Sequence, residues 1–142
     1  MSDGNPPQHV LAVFEAAARR LRHDLTGRLA PDAPGLSPSQ LRLLGIIPER
    51  GARMTDLAAR ASITKQSLGE LVSALRASGH LETVPDAQDG RVKFVRPTAE
   101  GRRVRHRIDE EIAALEAAYA QQLGTRRFAT LLAALRELGA AR

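Results

Sequence analysis

The chain has 142 residues, with 21 Lys/Arg against 16 Asp/Glu for a formal charge of +5, and it contains no cysteine. That length suits one domain able to bury roughly two-thirds of its unfolded surface, and the missing thiol excludes disulfides, thiolate metal sites, cysteine nucleophiles and cysteine redox sensors. With one Tyr, three Phe and no Trp, the composition favours packed amphipathic helices over an all-β fold or a base-stacking surface.

From Val10 to Leu29 the apolar residues Val10, Phe14, Ala17, Leu21, Leu25 and Leu29 recur at helical spacing, one stripe of a long helix. "APDAPG" interrupts it. "LSPSQLRLLGII" then opens a second helix, with Ser37 as N-cap, Pro38 at the first helical position and Gln40 as the capping-box partner, ending before Pro48. In "MTDLAARASITKQSLGELVSALRASGH" the spacing predicts two shorter helices. Thr55 is expected to cap the first, which turns Leu57, Ala58 and Ala61 inward; Ser62 and Ile63 form the turn; Thr64 caps the second, with Leu68, Leu71, Val72 and Leu75 inward and Gly79 closing it. Gly69, inside that second helix, is read as a site of close packing.

Two strands follow, "HLETV" and "VKFVR". Asp89-Gly90 between them predicts a tight primed turn with Gly90 at positive φ and Arg91 pointing outward, while Pro85 argues for an edge strand or a widened loop. Thr98 opens a long helix carrying Val104, Ile108, Ile112, Leu115 and Tyr119 on one side, and Thr125 opens a last one carrying Phe128, Leu131, Leu132, Leu135 and Leu138. The expected fold is mainly α with a small β-hairpin wing. Residues 36–97 form a winged helix-turn-helix, and residues 8–30 and 98–140 form a helical dimerisation region.

Two short helices followed by a basic hairpin are the layout in which the second helix enters the DNA major groove and the hairpin reaches beside it. Residues 51–107 carry eleven Lys/Arg against six Asp/Glu, so the net basicity sits in this segment. Thr64, Lys65, Gln66 and Ser67 at the helix start are the right types for base edges or phosphate: lysine donates to guanine, glutamine pairs with adenine, and hydroxyls serve either. Arg91 suits insertion into the narrow, negative minor groove, with Asp86 or Asp89 bracing its guanidinium in a two-pronged ion pair. The bland reading of these residues is a solvated helix start and a solvated turn. The long apolar stripes of the terminal helices have few partners inside so small a domain, which predicts burial against a second copy.

"LSPSQLRLLGII", "MTDLAARASITKQSLGELVSALRASGHLE" and "VPDAQDGRVKFVRPTAEG" resemble segments of the multiple antibiotic resistance regulator (MarR) family of bacterial transcription factors, over roughly residues 8–138. The resemblance implies a homodimer with interlocked terminal helices, binding double-stranded DNA at an inverted-repeat operator, and acting as a repressor released by a small aromatic or phenolic effector. It places the wing arginine at Arg91 and the recognition-helix start at Thr64 to Ser67. Two positions depart from the pattern: Ser62 stands where glycine is frequent, which predicts a somewhat different turn, and Thr83 stands where many relatives have arginine. An effector pocket would lie where the terminal helices meet the winged helix. Phe14, Leu21, His23, Leu44 and Tyr119 are its lining candidates, with ordinary core packing the preferred reading of each.

Other signals are bland. Arg102, Arg103, Arg105 and Arg107 spread around a helix and read mostly as a solvated face or as ion pairs with Asp109, Glu110 and Glu111. The four histidines His9, His23, His80 and His106 lack metal-ligand spacing, and no catalytic constellation or cofactor motif is present, so neither an enzyme nor a metal site is expected. No apolar run reaches membrane-span length and the start lacks signal-peptide character, which predicts a cytoplasmic protein without membrane contact. The competing function is a winged-helix protein-interaction module that does not bind DNA.

Overall fold

Local capping sets most element boundaries in the computed structural model, which describes residues 9–140. Residue 8, the first of the predicted helical region, lies outside the described residues. Helix α1 (Val10–Leu29) starts at His9, whose Nδ1 accepts the Ala12 N–H at 3.2 Å. Helix α2 (Pro38–Ile46) starts with the full capping box: the Gln40 N–H donates to Ser37 Oγ at 3.2 Å, and the Ser37 N–H donates to Gln40 Oε1 at 2.9 Å. A short strand β1 (Ala52–Arg53) leads directly into α3 (Met54–Ala61). The cap of α3 is therefore Arg53, with no side-chain cap bond, and Thr55 lies within the helix instead of capping it.

The turn after α3 closes with Ser62 at φ 54° and ψ 43°, the left-handed conformation that glycine adopts freely. Serine thus supplies that geometry itself, at some cost. Ser62→Gly is expected to raise stability by about 0.5 kcal/mol, the relief of Cβ strain less the extra unfolded-state freedom of glycine. Urea unfolding of the two proteins measures it, and an unchanged or lower midpoint for the variant would count against strain at this turn.

Helix α4 (Lys65–Ala77) is capped by Thr64, whose Oγ1 accepts the Ser67 N–H at 3.1 Å. It closes with Gly79 at φ 81°: the His80 N–H donates to the Leu75 carbonyl at 2.8 Å and the Gly79 N–H to the Arg76 carbonyl at 3.0 Å. Gly69 is not a close-packing site, since a Cβ there would meet nothing within 4 Å. Strands β2 (Leu81–Pro85) and β3 (Lys93–Pro97) follow, then α5 (Ala99–Leu123), capped by Thr98, and α6 (Thr125–Ala140).

The sheet is three-stranded and antiparallel in the order β1-β3-β2, with Ala52 opposite Val95, Leu81 opposite Pro97 and Pro85 opposite Lys93. Pro85 ends an edge strand, where a residue without N–H is tolerated. The tight primed turn is not formed. Residues 86–92 make a wide loop in which Gly90 does not take positive φ. The Asp86 carboxylate explains it: Oδ1 accepts the N–H groups of Gln88 at 2.8 Å and Asp89 at 3.1 Å, so the chain winds around Asp86 rather than folding back at Gly90.

The core joins α2, α3, α4, the sheet and the first half of α5 through Leu43, Leu44, Leu57, Leu68, Leu75, Val95 and Val104. In contrast, α6 has no buried residue, and Val10, Leu11, Phe14, Leu131, Leu135 and Leu138 are exposed. The architecture is a mainly helical winged helix-turn-helix with two long flanking helices and a terminal one.

Candidate nucleic-acid interface

Helix α4 is seated by Leu68, Val72 and Leu75, which face the core and leave Thr64, Lys65, Gln66 and Ser67 exposed. The Thr64 hydroxyl donates to Ser67 Oγ at 3.0 Å while accepting the Ser67 N–H, so the two hydroxyls order the first turn. That turn holds no acidic residue, and its unpaired N–H groups add their partial positive charge to Lys65.

The two wing aspartates divide the work. Asp89 Oδ1 accepts both the Arg91 N–H at 3.1 Å and Arg91 Nε at 3.2 Å, and the Arg91 side chain is 92% exposed. The contact is single-pronged, not the expected fork. The fork belongs to Asp86 and to Arg53, a residue without a sequence signal: Arg53 Nε donates to Asp86 Oδ2 at 2.9 Å and Arg53 Nη2 to Oδ1 at 3.0 Å. Asp86 is buried, 9% exposed. The Arg53 guanidinium, then the Gln88 and Asp89 N–H groups, bring its carboxyl down to about 2, and Asp86 in turn raises Arg53. Gly90 therefore supports the wing only as part of a loop wound on Asp86. Lys93 is exposed, Arg96 is paired with Glu82 at 2.6 Å, and Thr83 sits opposite Val95 on β2.

The expected effector lining is not brought together as one set. Leu21 and Tyr119 line an apolar cleft of about 440 Å³ between α1, α5 and α6, with Leu25, Ile112, Leu115 and Leu131. Leu44 is fully buried in the winged-helix core on the inner side of α2, and His23 lies two positions past Leu21, outside the cleft. Phe14, 41% exposed and two turns before Leu21, also lies outside it. At the cleft wall the Tyr119 hydroxyl donates to Asp24 Oδ2 at 2.6 Å. This bond, ahead of Arg20, holds Asp24 below the usual carboxylate range, and desolvation, then Asp24, raises the phenol.

Among the described residues no three His, Asp or Glu side chains group as a metal site, and no helix is long and apolar enough to cross a membrane.

Residues 35–92 match the model of the MarR family. The transcriptional activatory protein BadR of Rhodopseudomonas palustris is 34% identical over 83 residues, 56% of this chain and 47% of BadR. The match thus spans about half the length of that relative. Two solved structures superpose over nearly the whole chain. The transcriptional repressor CouR bound to a 23-mer DNA duplex has a TM-score of 0.77 at 23% identity, covering 98% of each chain. NadR in complex with 4-hydroxyphenylacetate has a TM-score of 0.76 at 23% identity, covering 100% of both. Residues 35–92, which hold the helix-turn-helix and most of the wing, thus carry the match to the MarR family, within a fold that the two solved structures share over nearly the whole chain.

Proposed function

We propose that this protein is a sequence-specific, dimeric DNA-binding transcriptional regulator, a repressor released by a small aromatic or phenolic effector and acting in the bacterial cytoplasm. The observation that carries the reading is Arg91: a nearly fully exposed guanidinium on a loop locked from beneath by the Arg53–Asp86 pair, beside a helix start that exposes only polar residues. In this reading Thr64 to Ser67 meet base edges and phosphates in the major groove, and Arg91 enters the minor groove. Residues 36–97 contact DNA, while residues 8–30 and 98–140 pair two copies. The exposed apolar residues of α1, α5 and α6 support the pairing, because Leu21, Ile112, Leu131 and Leu135 belong both to that exposed set and to the cleft. CouR on its duplex and NadR with its phenolic ligand support the DNA and effector parts by likeness of fold. The effector reading then narrows to the cleft beside Leu21 and Tyr119.

Selection of bound duplexes from a random library near physiological salt, with Arg91→Ala in parallel, tests this. An inverted repeat recovered by the wild-type protein and bound about tenfold more weakly by the variant is the expected result. No recovered motif, with only salt-sensitive bulk binding, would leave the protein-interaction module as the better account.

A further inference from the structure

The arginines of α5 fall into two groups. Arg103 reaches Glu100 Oε1 at 2.7 Å and the Asp32 carbonyl at 2.9 Å. Arg107 donates to Asp32 Oδ2 at 3.1 Å, to Glu111 Oε1 at 2.7 Å and to Glu110, and these carboxylates raise its pKa. That flank of the helix is neutralised.

Arg102 and Arg105 lie on another flank and meet no carboxylate. Arg102 Nη1 donates to the Pro97 carbonyl at 3.2 Å, and Arg105 Nε is buried without a partner. Both line an open cleft of about 750 Å³, joined by Arg50 from the loop before β1, Arg60 from α3, Pro48 and Glu49. Among the described residues, no ion pair involves any of these four arginines or Glu49. Four guanidinium groups from three separate parts of the chain thus converge with one carboxylate, a lining of net charge +3. Like charges gathered this way repel, and each unpaired planar fork matches an oxyanion.

The cleft is not an extension of the wing. Arg53 lies opposite Phe94 and Ala52 opposite Val95, so the chain reaches Arg50 by running toward Pro97, away from the loop that carries Arg91. The forks also gather on one opening instead of forming a stripe, which suits a compact ligand better than a duplex backbone.

We propose that this cleft binds a small, multiply charged oxyanion of the diphosphate or triphosphate class through Arg50, Arg60, Arg102 and Arg105. Calorimetric titration of the full chain with inorganic tripolyphosphate at fixed ionic strength tests it, with citrate as a carboxylate arm. One saturable site per chain is expected, about tenfold weaker in Arg50→Ala and in Arg60→Ala and unchanged in Arg91→Ala. Arg50 and Arg60 are exposed, so these variants retain the fold, which thermal melting checks. Tighter binding of tripolyphosphate than of citrate supports the phosphate class, and the reverse order overturns it. Absence of saturable binding overturns the site. So does binding lost in Arg91→Ala but kept in Arg60→Ala, or a weakened DNA complex in Arg60→Ala with no tripolyphosphate binding, which would assign the cleft to DNA phosphates.

Discussion

Replacing Gly101 with alanine is expected to destabilise the fold by about 3 kcal/mol, the upper part of the usual range for overpacking, because the obstacle is backbone. A Cβ at Gly101 would lie 2.0 Å from the His80 carbonyl oxygen and 3.0 Å from its carbon. That carbonyl cannot simply move aside: it accepts the Thr98 N–H at 3.1 Å, and the Thr98 hydroxyl in turn donates to the Gly79 carbonyl at 2.6 Å. The end of α4, the start of β2 and the first turn of α5 are tied at this point. Gly69→Ala is the control, because its Cβ would enter open space and alanine improves helix propensity. Denaturant unfolding of both variants checks the pair. A Gly101→Ala midpoint equal to that of the wild-type protein would show that α5 can shift away from His80 freely.

Acidification is expected to release the wing before the helical core. Asp86 titrates at about 2 in the folded protein against an ordinary value near 3.8, so its ion pair contributes stability that is complete above the ordinary value and is lost as pH falls from about 4 through about 2. Protonation breaks the fork with Arg53 and weakens the acceptor for the Gln88 and Asp89 N–H groups. The amide signals of Gln88 and Asp89 should therefore move with a midpoint near 2, whereas midpoints near 3.8 would mean that the pair does not hold Asp86 ionised. Asp86→Asn should abolish this dependence. At neutral pH it should also weaken duplex binding by about tenfold while the helices stay intact, since Arg53 is left without its carboxylate.

The helices were legible because their signals are local. Ser37 with Gln40, Thr64 with Ser67, and Gly79 after the last turn of α4 each act within a few residues, and the structure places them as capping chemistry requires. The wing was misread for the opposite reason. Asp89-Gly90 is a strong two-residue signal, but Asp86 competes for the same backbone N–H groups, and its preference depends on Arg53, thirty-three residues earlier in the chain. Strand β1 has two residues and no alternation to detect. Leu44 takes the preferred core reading while Leu21 lines the cleft, because an apolar residue on a helix gives no sign of which of the two it faces. On α5 the pairing of Arg107 with Glu110 and Glu111 was legible at helical spacing, whereas the contacts of Asp32 with Arg103 and Arg107 and the company of Arg50 and Arg60 were not, since those residues are distant in sequence.

Arg53 serves two parts of the fold at once. It is the residue from which α3 springs, and it grips the carboxylate on which the wing loop is wound. A hinge between helix-turn-helix and wing would let each settle into its own groove. Here the Arg53–Asp86 ion pair, together with the pairing of β1 with β3, ties the wing to the start of the helix-turn-helix. Under the proposed function that tie would hold the helix start and Arg91 at one separation, so that a duplex with differently spaced grooves would fit less well.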